Sequence, residues 1–558
     1  MSKIKKVLAM LLALTMVLGM SMTTFAADAG ADETFGTADD KGRISVGGIT
    51  AEDGIIVTAY QIVKANYANN GSFSGYEVLY PNVDPKIELP VAVEGVVQKA
   101  DITEKQLTAI MGVINEGETL LGTTYRMLPN EDGSYVADVP VGSYLVVVSG
   151  AETKVYSPIV ASVYYVNKDG QNALEEGTIV DISEEQSWIK VSDTPKVEKW
   201  ILDDGKKKGN SIDIGDTIDY EVDVAPIPYY GGDYPVFNLV DTLDDGLTFE
   251  GTEENIKVAI GDTELVLNTD YTINISGQVI TIDFVVDGYK AANPDNANDY
   301  TLNGYANGNN SIVVTYQVRV NDKATINQVP NTNDVVLNFT KDSKVFGEDD
   351  EDEDKVYSYT FDIDGSIEGS VTQRVVNKRG ETVDETTDEV RGTGLAGAEF
   401  GLYTDAECKN PYVNEETGFD GTITTDKSGQ MPIRGLETGT YYLKETKAPE
   451  GYSLNTHVFT IVIEATYKET GDKMEIGKIE SWTITIDGEA TSEFTVNQGE
   501  KDEVLVTSDI TGTDIPNTKL TSLPSTGGIG TTIFTIGGCL IMIIAAGLFF
   551  ASRRKSAK

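Results

Sequence analysis

The stretch Asn331-Thr332-Asn333-Asp334-Val335-Val336-Leu337-Asn338-Phe339 alternates between two chemistries. Successive strand residues point to opposite faces, so residues two apart share one. Asn333, Val335, Leu337 and Phe339 therefore line a single face, apolar except at Asn333. The pattern is that of a half-buried β-strand. Two more runs repeat it. Val197, Lys199 and Ile201 share a face, and so do Phe237, Leu239, Asp241 and Leu243. From residue 42 to residue 519 nearly everything reads as short strands of Val, Ile, Tyr and Thr, punctuated by Gly, Asn and Asp. Only residues 103–114 have a helical period. Regularly spaced short strands predict an all-β chain built of tandem Ig-like β-sandwich domains.

The two ends are different. A basic start (Lys3, Lys5, Lys6), an apolar run over 7–20 and an exit at Phe25-Ala26-Ala27 predict a secretory signal peptide over residues 1–26. At the other end Leu523-Pro524-Ser525-Thr526-Gly527 precedes an apolar stretch over 529–551 and a basic tail over 552–558. That stretch is long enough to cross a bilayer of about 30 Å as a helix, with the cationic tail kept inside.

About 500 residues lie between the ends, room for about three domains at ~150 residues each. The expected boundaries are 42–190, 194–347 and 356–519. The wholly acidic run 348–354 reads as a solvated loop or linker rather than a calcium site. Gly142-Ser143-Tyr144-Leu145 in the first domain is echoed by Gly439-Thr440-Tyr441-Tyr442 in the third, each a strand leaving a turn.

The formal charge of −46 argues against nucleic acid, whose phosphates need Lys and Arg. It fits a solvated extracellular surface. Of the two cysteines, Cys539 falls in the apolar stretch, so Cys408 has no partner for a disulfide. An exported chain without that staple must rely on its cores or on another cross-link. The single histidine, His457, precedes Val458-Phe459-Thr460 and reads as a strand residue. No Cys–His pair, zinc spacing or phosphate loop suggests an enzyme, a metal or a cofactor.

Lys199, Asp241 and Asn333 all fall on apolar faces of one domain. An unpaired buried charge is too costly to tolerate, so the three need one another. One reading is a buried ion pair with a hydrogen-bonded Asn. The other is chemical. Burial lowers a lysine pKa and raises an aspartate pKa. A neutral amine can then attack the Asn carbonyl, with the acid polarising it and moving protons. Ammonia leaves and an isopeptide bond remains, driven by effective molarities of about 10⁵ M or more.

These residues also carry a resemblance. Pro195-Lys196-Val197-Glu198-Lys199, Val240-Asp241-Thr242-Leu243 and Asn331-Thr332-Asn333-Asp334 resemble the isopeptide-forming domain of Gram-positive fimbrial shaft proteins. Leu395-Ala396-Gly397-Ala398-Glu399-Phe400, the run from Tyr442 to Tyr452, and Ile515-Pro516-Asn517 resemble the CnaB-type collagen-binding-protein B domain. The end resembles the sortase sorting signal, cut between Thr526 and Gly527. The resemblance implies an extended rod of CnaB-type sandwiches with Lys–Asn isopeptide bonds, Lys199, Asp241 and Asn333 forming one. In the third domain the acid Glu445 and Asn517 are in phase. Val375 stands where the reactive Lys aligns, with Lys378 the nearest alternative, so a CnaB-like fold without its bond is expected there.

The resemblance further implies a covalent pilus subunit on the cell wall. Its partners would be a sortase, copies of itself, and peptidoglycan or a basal subunit. Such a subunit needs an exposed amine near the end of the first domain. The usual Tyr-Pro-Lys-Asn form is absent, and Tyr80-Pro81-Asn82 is an echo without a Lys. Lys190 is the first candidate and Lys196 the second. The alternative is a wall-anchored monomeric adhesin binding a host or bacterial ligand.

Overall fold

The computed structural model describes residues 35–52, 54–84, 86–93, 96–98, 102, 104–115, 121–189, 191–226, 236–284, 311–340, 349–367, 375–380, 394–498, 504–520 and 530–555. They form two compact units. One holds the described residues up to Thr325, with Pro330–Tyr359 and Tyr467–Ile479. The other holds Ile326–Val329, Thr360–Thr466 and the residues from Glu480 on.

The first unit begins with an eight-stranded sheet. Its path runs Ile159–Val163, Gly142–Ser149, Ile56–Tyr67, Thr124–Pro129, Tyr135–Pro140, Lys41–Gly47, Glu185–Trp188, with Phe73–Val78 also on Ile56–Tyr67. The strand Gly142–Ser149 is buried without a break from Tyr144 to Val148 because both its faces are covered there. Tyr144, Val146 and Val148 enter one core with Ile44, Val46 and Val57. Leu145 and Val147 enter another with Leu107, Ile110 and Met111. Those three sit on the helix Glu104–Asn115, where the helical period falls.

Next come two sheets around one core. The seven-stranded sheet follows Lys206–Lys207, Lys196–Leu202, Thr217–Ala225, Ile312–Val320, Lys257–Ile260 and Thr263–Glu264, with Leu247–Thr248 on Ile312–Val320. The six-stranded sheet follows Gly209–Ser211, Asp349–Tyr359, Asn331–Thr340, Phe237–Leu243, Val279–Asp283 and Thr272–Ser276. Alternation decides what is inside. Ile218, Tyr220, Val222 and Val224 of one sheet meet Phe237, Leu239, Leu337 and Phe339 of the other. Face-to-face packing of this kind makes a β-sandwich.

The acidic run is not a loop over its described part. Asp349–Tyr359 is a strand, antiparallel to Asn331–Thr340 from Thr340↔Asp349 to Asn331↔Ser358. Every second acid points outward, Glu351 and Glu353 being exposed. The inward positions are Asp352, Asp354 and then Val356, which enters the core. A strand with charges facing in is a recognised way to blunt a sheet edge.

The second unit carries a seven-stranded sheet ordered Thr422–Thr424, Glu399–Tyr403, Gly439–Lys447, Val458–Tyr467, Ile479–Ile486, Ala490–Gln498, Val504–Asp509. A separate parallel pair, Val376–Gly380 with Thr513–Asn517, sets Lys378 opposite Ile515 and Gly380 opposite Asn517. His457 falls just outside its predicted strand. It is exposed, with Nε2 2.8 Å from Asp487 Oδ2. The helix Gly530–Lys555 ends the described chain. At 1.5 Å per residue its 26 residues span about 39 Å, and Ile533–Arg553 is long and apolar enough to cross a membrane.

Candidate functional site: two buried lysine, acid and asparagine clusters

The first cluster lies between the two sheets of the sandwich. Lys199 comes from Lys196–Leu202 of one sheet. Asp241 and Asn333 come from adjacent strands of the other, paired Asp241↔Val335 and Leu243↔Asn333. Strand parity turns all three inward, and all are buried: Lys199 0%, Asp241 3%, Asn333 0% exposed. Lys199 Nζ pairs with Asp241 Oδ2.

A fourth residue ties them together. The Tyr316 hydroxyl lies 2.6 Å from Lys199 Nζ, donates to Asp241 Oδ2 at 2.6 Å, and accepts from Asn333 Nδ2 at 2.9 Å. Amine, acid and amide thus share one oxygen. The rings of Tyr220 and Tyr316 lie 5.4 and 5.3 Å from Nζ, so the amine sits among aromatic faces and away from water. Burial pushes the Lys199 amine below its ordinary range, against the pull of Asp241. Burial and the Asp241 charge hold the Tyr316 phenol well above its own. Asn333 Oδ1 and Asp241 Oδ1 have no hydrogen-bond partner.

The second cluster corrects the expectation for the third domain. Lys378, not Val375, stands where the nucleophile was sought. Its Nζ contacts Asn517 Oδ1 and lies 3.1 Å from Glu445 Oε1. Asn517 Nδ2 donates to the same Glu445 oxygen at 2.9 Å. Lys378, Glu445 and Asn517 are 0%, 1% and 1% exposed. The amine lies 5.5 Å from the Phe400 ring, and burial lowers its pKa against the pull of Glu445. The backbone of Lys378 is held on both sides. Its N–H donates to Gly429 O at 2.9 Å and its carbonyl accepts from Leu395 N at 3.0 Å. Gly429 sits at φ +77°, and a Cβ there would meet Lys378 O at 2.1 Å, so only glycine allows this approach.

Parity could have found Tyr316 and could have favoured Lys378 over Val375. Ile312, Val314, Tyr316, Val318 and Val320 share one buried face, but a search for carboxylates and amines passes over a phenol. Val376 and Lys378 share a face in the same way.

The other sites divide. Lys190, the signal segment 1–26 and the motif 523–527 lie outside the described residues. Lys196 opens the strand Lys196–Leu202 with an exposed side chain, its Nζ 3.2 Å from Asp352 Oδ1. The segment between the two lysines is structured: Val191–Asp193 pairs antiparallel with Lys154–Tyr156.

Comparison with known proteins gives these clusters a context. Residues 214–343 match the family model for the Gram-positive pilin backbone subunit 2, Cna-B-like domain. Residues 383–478 match a prealbumin-like fold domain, and 515–558 the LPXTG cell wall anchor motif. Segments similar to a pilin backbone and to a wall anchor thus occur on one chain. Over its length it is homologous to the trypsin-resistant surface T6 protein of Streptococcus pyogenes serotype M6. The two are 25% identical over 607 aligned positions, covering 98% of this chain and 99% of the relative. The solved T6 backbone pilin, described as modular and three-domain, superposes with a TM-score of 0.51 at 20% identity, covering 87% of this chain and 99% of that one. The major pilin SpaD of Corynebacterium diphtheriae gives 0.44 at 18%, covering 87% and 98%.

Proposed function

We propose that this chain is the backbone subunit of a covalent pilus, fixed to a Gram-positive cell wall by a sortase, and that each buried cluster closes an isopeptide bond. The observation that carries the reading is the full-length homology to the T6 surface protein, joined to a pilin-backbone match and an anchor motif on one chain. Its role is structural, the chemistry of each cluster being performed once, on the chain itself. Neighbouring copies and a sortase are its partners.

The cross-linking step uses groups of the chain alone. The neutral Lys199 amine attacks the Asn333 side-chain carbonyl carbon. Asp241, protonated, polarises the carbonyl oxygen. It then takes a proton from the attacking nitrogen and returns one to the leaving amide nitrogen. A C–N bond to Lys199 forms, the C–N bond to the amide nitrogen breaks, and ammonia leaves. Tyr316, which touches all three groups, holds them in line. In the second cluster Glu445 plays the acid between Lys378 and Asn517. The first bond would join the two sheets of the sandwich and the second the paired strands Val376–Gly380 and Thr513–Asn517, in place of a disulfide that the two free cysteines do not make.

Three measurements test this. Digesting whole cells with a muralytic enzyme and running a denaturing gel should give a ladder. A single band would replace the pilus by a monomeric surface protein. In the same cells Thr526→Ala should send the chain to the medium, and continued wall attachment would rule out sortase anchoring. Separately, a Glu445→Ala chain should be heavier by one ammonia than the substitution alone predicts, with the branched Lys199–Asn333 peptide intact in a digest. A mass that differs from the parent's by the substitution alone would remove the second bond from the proposal.

A further inference from the structure

Lys199 lies on a strand with one open side. Lys196–Leu202 pairs with Thr217–Ala225 along Lys196 to Ile201, but its other edge meets a strand only at Ile201 and Leu202. Residues on that open edge need partners for their backbone groups, and side chains provide them. Val197 N–H donates to Asp352 Oδ2 at 2.8 Å, and Val197 O accepts from Lys473 Nζ at 2.5 Å. Two residues on, the arrangement repeats. Lys199 N–H donates to Asp354 Oδ2 at 2.6 Å, and Lys199 O accepts from Lys208 Nζ at 2.6 Å. Each acid also pairs with its own lysine, Asp352 with Lys473 and Asp354 with Lys208. The acidic strand and two lysines therefore act as a ladder of side chains in place of a missing strand.

The two rungs differ in water. Side chains of Asp352 and Lys473 are 16% and 36% exposed; those of Asp354 and Lys208 are 0% and 7%. Lys208 lies 4.0 Å over the Trp200 ring. Its own carbonyl accepts from Tyr357 N at 2.9 Å, and its backbone is crossed so closely by Gly477, at φ +92°, that a Cβ there would meet Lys208 C at 2.4 Å. The second Asp354 oxygen accepts from Lys355 N at 2.9 Å. A carboxylate so fully hydrogen-bonded is a poor electrophile, so this pair is not itself a third cross-link. A dry pair of this kind is weak evidence for net stability. What it does is fix the two backbone groups of one residue, and that residue carries the amine. In the second cluster the same two groups of Lys378 are fixed by main-chain partners instead.

We propose that Asp354 and Lys208 are positioning residues for cross-linking, holding the Lys199 backbone so that its amine lies on the Asn333 amide. The proposal rests on the isopeptide reading above. A displacement of about 1 Å can cost a reaction on the order of 100-fold, and an edge strand freed on one side can shift by that much.

The test uses the whole chain in its own host. Cells are pulse-labelled and sampled over time, and the branched Lys199–Asn333 and Lys378–Asn517 peptides are quantified in digests. Asp354→Asn should slow the first bond by about 10- to 100-fold and leave the second at the parental rate. Asp352→Asn, which loosens the neighbouring rung, should leave both near parental rates. Lys208→Arg, which keeps the charge and the donor, should stay closer to the parent than Lys208→Gln. Should Asp354→Asn chains be degraded before export, Lys208→Gln reads the same step with the carboxylate in place. Parental kinetics in both Asp354→Asn and Lys208→Gln would overturn the proposal, and so would equal slowing by Asp352→Asn. A parent chain without the branched Lys199–Asn333 peptide would instead bring down the isopeptide reading itself.

Discussion

An exported Asp241→Ala chain is expected to be one ammonia heavier than the substitution alone predicts, and to melt lower. The acid is the one group in the first cluster that contacts the amine and shares Tyr316 with the amide. Without it the Lys199 amine keeps its nucleophilic form but loses the proton carrier, and the Asn333 carbonyl loses its polarising donor. The bond therefore fails to form although both of its ends remain. The stability effect follows from chain topology. Lys199 and Asn333 lie 134 residues apart, and a cross-link closing so long a loop is worth about 5 kcal/mol through the unfolded chain. For a unit of this size that corresponds to a fall in Tm on the order of 10 °C. Trypsin adds a second readout, since an unlinked chain opens more often and is cut from its open form. Asp241→Asn should behave similarly, because an amide cannot carry the proton. An Asp241→Ala chain whose mass differs from the parent's by the substitution alone would sink the assignment of Asp241.

Most of the first cluster was legible because it obeys one local rule. Alternation by two puts Lys199 beside Val197 and Ile201, Asp241 beside Leu239 and Leu243, and Asn333 beside Val335, and the structure buries every one of them. Three groups that cannot be buried alone then point to each other without any knowledge of distance. What stayed hidden depends on non-local pairing. The strand Val376–Gly380 is short, and its only ladder partner among the described residues is the parallel strand Thr513–Asn517, more than 130 residues away. The resemblance aligned Val375 at the site with Lys378 as the nearest alternative, and the register brings Lys378 opposite Ile515 beside Asn517.

The acidic run failed for a different reason. All six of its described residues before Lys355 are acids that a loop would leave solvated, so composition favoured a linker. The inward parity of Asp352 and Asp354 has meaning only once the open edge carrying Val197 and Lys199 lies opposite. The segment Tyr467–Ile479, which clusters with the first unit although its flanks belong to the second, is equally invisible to periodicity. Its Lys473 reaches Val197 O across 276 residues of sequence.

Replacing Lys190 by Arg is expected to abolish the high-mass ladder while leaving the monomer on the wall. Polymerisation needs an amine that a sortase can reach and that is not already committed. Lys199 is excluded by burial and by its place in the first cluster. Lys196 is exposed, but it sits in a strand and is paired with Asp352 at 3.2 Å, and the next residue's backbone is clamped by that same acid. An amine held there presents itself poorly to a thioester on another protein. Lys190 directly precedes the short strand Val191–Asp193, whose pairing with Lys154–Tyr156 gives it a fixed anchor point on the first unit. The proposal is that this junction offers the amine while the strand after it holds the geometry. Arg is the right replacement because it keeps the charge yet stays protonated at any working pH, and so cannot attack. Lys196→Arg should leave the ladder close to parental. If the ladder survives Lys190→Arg and is lost in Lys196→Arg, the amine lies six residues further on and the ion pair with Asp352 must open for assembly. A ladder that survives both replacements together moves the junction to another lysine and refutes both candidates.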